Sequence, residues 1–304
     1  PVRTIVVADD CALPRTKGVT GARGLAGTVL VHKITGAAAA AGASLDFCHA
    51  MAQRVCARMG TLGIALDAVT VPGASAVNNR LDDEDTIEIG LGIHGEAGLK
   101  QSKLLTADEM AAEMVQTIQA YGRTDGQDSS TITPFVKPED EVVILVNNLG
   151  GTSNFEMSIL ARSCVKVLEG SSYQVKVSRV LVGSYMTSFD MHGASLTLLN
   201  VTGQTDMVEY LDTSCTAPAW GKCDVWNTQA GDRPSSKRVA EASQSTASVA
   251  LPQPTCTIPN FEATAQKVLQ TAGTALSEAE PLLTKYDTVV GDGDCGITST
   301  FPCI

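Results

Sequence analysis

The sequence lacks a Cys-x-x-Cys pair, a long apolar run and an excess of basic residues. Its nine cysteines are scattered, which disfavours a disulfide framework or a thiolate zinc site and predicts reduced, mostly buried thiols in a cytoplasmic protein. No apolar run reaches the roughly 18 residues of a membrane helix, and the first ten residues lack the layout of a signal peptide. The 22 Lys and Arg against 33 Asp and Glu give a net charge of −11, which argues against nucleic acid and anionic membranes as partners.

The length and the residue pattern predict an α/β protein with two globular units. The 304 residues exceed one average domain. Short β-branched runs alternate with segments of helical apolar spacing, which is typical of mostly parallel sheets flanked by helices. These runs are Thr4–Ala8, Leu62–Val71, Val142–Val146 and Val175–Val182.

Two amphipathic helices are marked by capping boxes. The segments Thr106–Glu109 and Ser153–Glu156 each place a hydroxyl residue three positions before a glutamate, and the helices are expected to end at Gly122 and Gly170. Their apolar faces carry Met110, Met114, Ile118 and Tyr121 in the first helix, and Met157, Leu160, Cys164 and Leu168 in the second.

The composition changes after residue 230. Residues 231–259 are rich in Ser, Ala, Pro and Gln without periodicity, which indicates a linker between domains. Helical spacing returns from Phe261 to Leu283, so a new helical domain is expected to begin at about residue 260.

An acidic, glycine-rich loop follows this helical segment. Gly291–Gly296 formally matches a dinucleotide-binding pattern, but a helix precedes it and no acidic residue follows about twenty positions later. Asp287, Asp292 and Asp294 instead place three hard oxygen ligands within eight residues, and glycines at 291, 293 and 296 permit the tight turns that let them converge. This pattern predicts a magnesium site for nucleotide phosphates, and a solvated acidic turn is the alternative.

A second glycine-rich stretch, Glu88–Gly98, surrounds a single imidazole. Glycines at 90, 92, 95 and 98 remove side-chain bulk on both sides of His94, so backbone and ring can enclose a small substrate. A neutral imidazole can act as a base or attack a carbonyl carbon. The alternative is a purely structural histidine. His32 and His49 are interpreted as residues on helix faces, and His192 as a turn residue.

Three further segments leave two interpretations open. The glycines of Gly18–Thr28 precede a small-residue helix at about Leu25–Ala41, and suit either anion binding at a helix N-terminus or close helix packing. Asn147–Gly151 follows a strand and indicates either a ligand site or a tight βα turn. Asp9 and Asp10 are either polar site residues or the end of a strand.

Seven motifs follow one another along the chain: Val7–Asp10, Gly21–Thr28, Met59–Gly63, Gly90–Gly98, Val146–Gly151, Leu181–Met186 and Gly291–Gly296. In this order they resemble the ATP-dependent dihydroxyacetone (glycerone) kinases of the single-chain, eukaryotic type. The resemblance covers nearly the whole chain. It implies a substrate domain of two subdomains, in which residues 1–72 are the last part of the first and 73–230 are the second. The linker 231–259 and the start of an all-α ATP-binding domain at 260–304 then follow.

The resemblance also implies the chemistry. His94 is expected to bond covalently to the carbonyl carbon of dihydroxyacetone as a hemiaminal, which selects ketones and aldehydes such as glyceraldehyde over glycerol. Gly92, Gly95 and Glu96 would surround that substrate. Asp287, Asp292 and Asp294 would hold Mg²⁺ on ATP, and Gly291, Gly293, Gly296 and Thr298 would contact the nucleotide, so that phosphoryl transfer yields dihydroxyacetone phosphate and ADP.

The chain departs from the family at both ends. It begins inside the substrate domain, without an initiator methionine, and it leaves the family pattern soon after Gly296. We therefore expect a fragment that is inactive alone, from a protein that forms a homodimer. Two alternatives remain: a non-catalytic dihydroxyacetone-binding or regulatory protein, and an FAD-AMP lyase that forms cyclic FMN.

Overall fold

The computed structural model describes residues 1–13, 23–70, 81, 85–93, 97–124, 132–220 and 260–290, except for the side chains of residues 262 and 286–290. The chain divides into two compact units, Pro1–Val71 with Ala76–Asp232, and Pro72–Ser75 with Arg233–Ile304. The predicted linker at 231–259 lies outside the described residues.

The first unit is built on a six-stranded sheet with the order β3-β2-β1-β8-β6-β7. A short two-stranded ribbon, β4 with β5, accompanies it. The strands are β1 Met59–Ala65, β2 Thr86–Ile89, β3 Lys100–Lys103, β4 Arg123–Thr124, β5 Ile132–Thr133, β6 Glu141–Asn148, β7 Lys176–Gly183 and β8 Gly193–Asn200.

Helices cover both faces of this sheet. The described helices of the first unit are α1 Gly27–Ala40, α2 Leu45–Ala57, α3 Ala107–Tyr121, α4 Asn154–Glu169 and α5 Thr205–Asp212. The second unit contributes one described helix, α6 Phe261–Val290, with Pro281 inside it. No helix in the described part of the chain combines the length and the hydropathy needed to cross a bilayer.

Alternating side chains of strand β6, which lies between β8 and β7, contribute to two hydrophobic cores. Val142, Ile144 and Val146 pack with the apolar faces of α3 and α4. Val143 and Leu145 point the other way and pack with α1, α2 and α5. Because successive residues of a strand face opposite sides, a strand buried on both faces is apolar throughout. The predicted α/β class with helices flanking a sheet is confirmed.

The predicted strand direction is wrong for most of the sheet. Within the described residues β6 and β7 are parallel, joined by α4, whereas β1 is antiparallel to β2 and to β8, and the pairs β2 with β3 and β6 with β8 are also antiparallel. An alternation of strand and helix segments indicates the type of each element. Direction depends on which strands become neighbours, and the pattern does not contain that information.

The predictions for individual elements have different outcomes. Both capping boxes are present, and α3 and α4 stop at Gly122 and Gly170 as predicted. The strand predicted at Thr4–Ala8 is absent, because this segment lies outside regular structure with Val6 largely exposed. Strand β1 lies before the predicted subdomain boundary at residue 72 and pairs with β2 and β8 beyond it, so both segments contribute to one sheet.

Candidate active site

The glycine-rich segment that carries His94 connects two neighbouring antiparallel strands. Strand β2 ends at Ile89, and β3 begins at Lys100. Gly92 is buried between them. His94, Gly95 and Glu96 lie outside the described residues, so the structure constrains only the two ends of this segment.

The first end of the segment turns sharply at Gly90. Its φ angle is +82°, a conformation that favours glycine. The Gly90 N–H donates to the carbonyl of Gly63 in β1 at 2.6 Å. A Cβ at position 90 would overlap the Cβ of Ala12. A side chain therefore cannot be added here without moving the backbone or its neighbour.

The second end of the segment is held at Gly98 by a buried carboxylate. The Gly98 N–H donates to Oε1 of Glu88 at 2.6 Å, and Glu88 is 2% exposed. The next amide, that of Leu99, donates to the carbonyl of Ile89 at 2.7 Å. A Cβ at Gly98 would lie 2.5 Å from the same carbonyl oxygen, which explains the glycine.

An ion pair reaches the first end from a different part of the fold. Arg23 donates from Nη2 to the carbonyl of Gly90 at 2.8 Å and from Nε to Oδ2 of Asp10 at 2.6 Å. The other oxygen of Asp10 accepts the amide of Ala12 at 2.8 Å. The side chain of Arg23 is 17% exposed and that of Asp10 is 1% exposed. Because solvent is largely excluded, this ion pair is less screened than one at the surface.

The backbone amides at the start of α1 have an internal hydrogen-bond partner, the side chain of Asp9. The carboxylate of Asp9 accepts the amide of Leu25 at 2.6 Å and that of Gly27 at 2.8 Å, at the start of α1. It also accepts the hydroxyl of Thr61 at 2.5 Å. Burial raises the pKa of Asp9, while these hydrogen bonds act to lower it. The amides of Leu25 and Gly27 are thus bonded to a side chain of this chain, which differs from both interpretations of the glycine stretch, an external anion and close helix packing.

The two asparagines at the end of β6 hold different loops. The amide of Asn147 donates to the carbonyl of Met186 at 2.7 Å, and its oxygen accepts the N–H of Met186 at 2.8 Å, in the loop after β7. Asn148 accepts the N–H of Gly150 at 2.8 Å and donates to the carbonyl of Thr152 at 2.7 Å. The bonds of Asn148 are those of a tight turn after β6.

A small cleft lies beside the start of the His94 segment. It is formed where β1, β6 and β8 meet the loop after β2. Its lining includes Leu25, Gly63, Leu91, Ile93, Asn147 and Ser195. The cleft has a volume of about 10 Å³, which is close to the space that a single water molecule needs, so the described residues alone do not form a site for a small ligand.

A second cavity, of about 200 Å³, lies between the sheet and helices α3 and α4. Its walls are mostly apolar, with Met110, Met114 and Leu160 among them. At its rim, Nε2 of His192 lies 3.6 Å from Oε1 of Glu156. His192 lies between the bridge residue Met191 and the start of β8, not in the turn that its sequence interpretation implies. Among the described residues, none of the predicted site residues lines this cavity.

The predicted magnesium ligands fall at the edge of what the structure describes. Asp287 lies within α6, and its side chain is not described. Asp292, Asp294, Gly291, Gly293, Gly296 and Thr298 lie outside the described residues. Within the described part, no group of three His, Cys, Asp or Glu side chains could hold a metal ion.

Sequence reasoning missed the contribution of Arg23 and Glu88. Arg23 lies in the segment Gly18–Thr28 and Glu88 in the segment Glu88–Gly98, but the functional interpretation of both segments rests on their glycines. One signal was available: a charged residue at the boundary of a glycine-rich stretch has few ways to be buried except by bonding to backbone. The sequence does not identify Gly90 as the partner of Arg23, because the two residues lie 67 positions apart.

Comparison with known proteins supplies a family. Residues 1–219 match the Dak1 domain. The chain is 37% identical over 98% of its length to the dihydroxyacetone kinase of Pichia angusta, covering 50% of that protein. It is 39% identical over 98% of its length to the triokinase/FMN cyclase of Bos taurus, covering 48% of it. The chain thus spans about half the length of the curated relatives it matches.

Solved structures give the same result. The dihydroxyacetone kinase of C. freundii in complex with AMP-PNP and Mg²⁺ covers 97% of this chain at 26% identity, with a TM-score of 0.53, and 48% of that chain is matched. The dihydroxyacetone kinase operon co-activator DhaQ covers 69% of this chain at 32% identity, with a TM-score of 0.58, and 60% of that chain is matched.

Proposed function

Because the chain belongs to the Dak1 domain family, we propose that it is the dihydroxyacetone-binding part of an ATP-dependent dihydroxyacetone kinase. The observation that carries this proposal is the segment between β2 and β3, in which glycines are required at both ends and His94 stands between them. The relatives named above are kinases of dihydroxyacetone or triokinases, which gives the substrate class: dihydroxyacetone, with glyceraldehyde as the aldehyde counterpart.

His94 is the residue that would hold the substrate. A ring nitrogen attacks the carbonyl carbon of dihydroxyacetone, and the C=O π electrons move onto oxygen. That oxygen takes up a proton as the other ring nitrogen releases its own, so the product is a neutral hemiaminal and no water is lost. Glycerol has the same hydroxyl groups but no electrophilic carbon, and it would not be trapped. Gly92, Gly95 and Glu96 would line the bound ketone.

The donor set Asp287, Asp292 and Asp294 fits magnesium, because it consists of hard carboxylate oxygens and because glycines at 291, 293 and 296 permit tight turns beside Asp292 and Asp294. These residues would hold Mg²⁺ and the backbone at Gly291, Gly293, Gly296 and Thr298 would contact ATP. The bound metal supplies charge neutralisation for the transferred phosphoryl group. The division at residues 72, 231 and 260, the homodimer and the cytoplasmic location stay predictions from sequence.

Intact-mass spectrometry under non-denaturing conditions tests the proposal. The chain is incubated with dihydroxyacetone or with glycerol, and a His94→Ala variant is treated identically. We expect a mass increase of one whole dihydroxyacetone in the unmodified chain only, and no adduct with glycerol. An adduct of the same yield in His94→Ala would remove His94 from this role, and the absence of any adduct in the unmodified chain would contradict the proposal.

Two observations favour second candidates. The match to the operon co-activator at 32% identity fits a protein that binds dihydroxyacetone without phosphorylating it. The relatives named triokinase/FMN cyclase fit a lyase that forms cyclic FMN from FAD. Incubating the chain with Mg-ATP and dihydroxyacetone, and separately with FAD, tests them: dihydroxyacetone phosphate supports kinase activity, and cyclic FMN supports lyase activity. An adduct without either product fits both the binding protein and the kinase fragment that is inactive alone.

A further inference from the structure

Two buried charged side chains hold the ends of the segment Gly90–Gly98. Arg23 donates to the carbonyl of Gly90 at 2.8 Å, and Glu88 accepts the amide of Gly98 at 2.6 Å. We propose that Arg23 and Glu88 are positioning residues, which fix both ends of the segment and so determine where the ring of His94 meets the substrate carbonyl. This inference rests on the proposed function and deepens it.

Arg23 connects the segment to the centre of the sheet. Its guanidinium bonds to Asp10 through Nε and to Gly90 through Nη2, and its own carbonyl accepts the Asp10 amide at 3.4 Å. Asp10 forms a parallel bridge with Thr61, a residue of the central strand β1. The carbonyl of Gly90 is thereby tied to one of the most deeply buried parts of the fold.

A guanidinium suits this position better than an ammonium group. The two acceptors, a carboxylate oxygen and a backbone carbonyl, belong to different segments of the chain. Arg presents nitrogens in a fixed plane and can reach both acceptors at once. Lys has one nitrogen on a flexible stem, so a lysine at position 23 would favour one acceptor and hold Gly90 more weakly.

Glu88 holds the second end of the segment, at Gly98, as a hydrogen-bond acceptor. It belongs to β2, where it pairs with Ala65 on one side and with Gln101 on the other. Its carboxylate bonds to the backbone ten positions later. A carboxylate that accepts a backbone N–H forms a strong, short hydrogen bond, which fixes the direction of the returning chain.

Accurate placement matters because the reacting atoms must approach within about 3–3.5 Å, and a displacement of about 1 Å can lower a rate about a hundredfold. His94 is four residues from Gly90 and four from Gly98, so a shift of either end is transmitted over a short length of chain.

The test compares Arg23→Gln, Arg23→Lys and Glu88→Gln with a matched control, Arg179→Gln. Arg179 is 16% exposed and bonds to Asp212 at 3.0 and 2.7 Å, so it resembles Arg23 in burial and pairing. It lies on β7, at the opposite edge of the sheet. Each variant is examined by amide hydrogen exchange, by the rate of the dihydroxyacetone adduct from intact mass, and by thermal unfolding.

We expect Arg23→Gln to exchange about tenfold faster in peptides that cover residues 86–99, because a charge-assisted hydrogen bond to the segment is lost. Adduct formation should slow by about tenfold or more. Arg23→Lys should lie between Arg23→Gln and the unmodified chain. Glu88→Gln keeps an acceptor for Gly98 and should show a smaller effect of the same kind. Arg179→Gln should change neither quantity.

Three results would overturn the inference: unchanged exchange in Arg23→Gln, faster exchange with an unchanged adduct rate, or equal effects in Arg23→Gln and Arg179→Gln. Failure of the proposed function gives a different pattern. In that case the unmodified chain forms no adduct, while hydrogen exchange still decides whether Arg23 holds the segment.

Discussion

Replacing Gly90 by alanine should destabilise the first unit for two separable reasons. Its φ angle of +82° costs an L residue about 1–2 kcal/mol. The new methyl group would also overlap the Cβ of Ala12, and overpacking of this kind typically costs about 1–3 kcal/mol. We therefore expect Gly90→Ala to lower the free energy of unfolding by about 2–5 kcal/mol.

Gly42→Ala isolates the first of these costs. Gly42 follows α1 and has a φ angle of +86°, but a Cβ built there meets no described atom within 4 Å. Its amide, which donates to Ala39, would be kept by alanine. This control should cost about 1–2 kcal/mol, and the difference between the two variants gives the cost of the overlap.

The Ala12→Gly change isolates the second cost. Ala12 is 3% exposed, and removal of its buried methyl group should by itself cost about 1 kcal/mol. In combination with Gly90→Ala the same removal relieves the overlap. We expect the double variant to be more stable than the sum of the single changes predicts, by about 1–3 kcal/mol.

Urea unfolding followed by far-ultraviolet circular dichroism measures these differences in the free energy of unfolding. The slope of this free energy against urea concentration should be the same in all variants if the compactness of the folded and unfolded states is unchanged. In a unit of this size, each 1 kcal/mol corresponds to about 2–4 °C in Tm. The reasoning is refuted if Gly90→Ala costs no more than Gly42→Ala. It is also refuted if the costs of Gly90→Ala and Ala12→Gly simply add.

Two further predictions concern pH and thiol reactivity. Hydrogen bonds from the helix-capping residues hold the pKa of Glu109 and of Glu156 below 4.5. Below about pH 5 the unfolded chain therefore binds more protons at these two glutamates than the folded chain does. The stabilisation of the folded state by the two ionised glutamates is present above about pH 4.5 and is lost as the pH falls. The double variant Glu109→Gln/Glu156→Gln should lose less stability than the unmodified chain between about pH 5 and 3 in urea titrations, and an equal loss would contradict this. Burial raises the pKa of Cys164 to about 12, whereas Cys215 is exposed. N-ethylmaleimide should therefore modify Cys215 and spare Cys164 until the chain unfolds, as read by peptide mass spectrometry. Equal labelling in the folded chain would count against the buried placement.

The elements that could be predicted from sequence are those that depend on residues only a few positions apart. A capping box needs only two side chains three residues apart, and Ser153 with Glu156 shows both reciprocal hydrogen bonds. Gly122 ends α3 for an equally local reason, since its φ angle of +67° suits glycine. Burial of β6 on both faces also follows from its apolar run.

What could not be predicted depends on residues that are distant in sequence. The direction of β1 relative to β8 is set by pairing across more than a hundred positions. Asp9 and Asp10 are neighbours in sequence, yet their side chains bond to different parts of the fold. Asp9 accepts the amides at the start of α1, and Asp10 binds Arg23.

Glycines in a sequence indicate that the backbone is approached closely, but they do not identify what approaches it. At Gly90 the neighbour is Ala12, and at Gly98 it is the carbonyl of Ile89. Protein atoms therefore exclude a side chain at both glycines, which stand in a stretch whose sequence predicts room for a substrate. Their structural role is to let the chain leave and re-enter the sheet within a short distance.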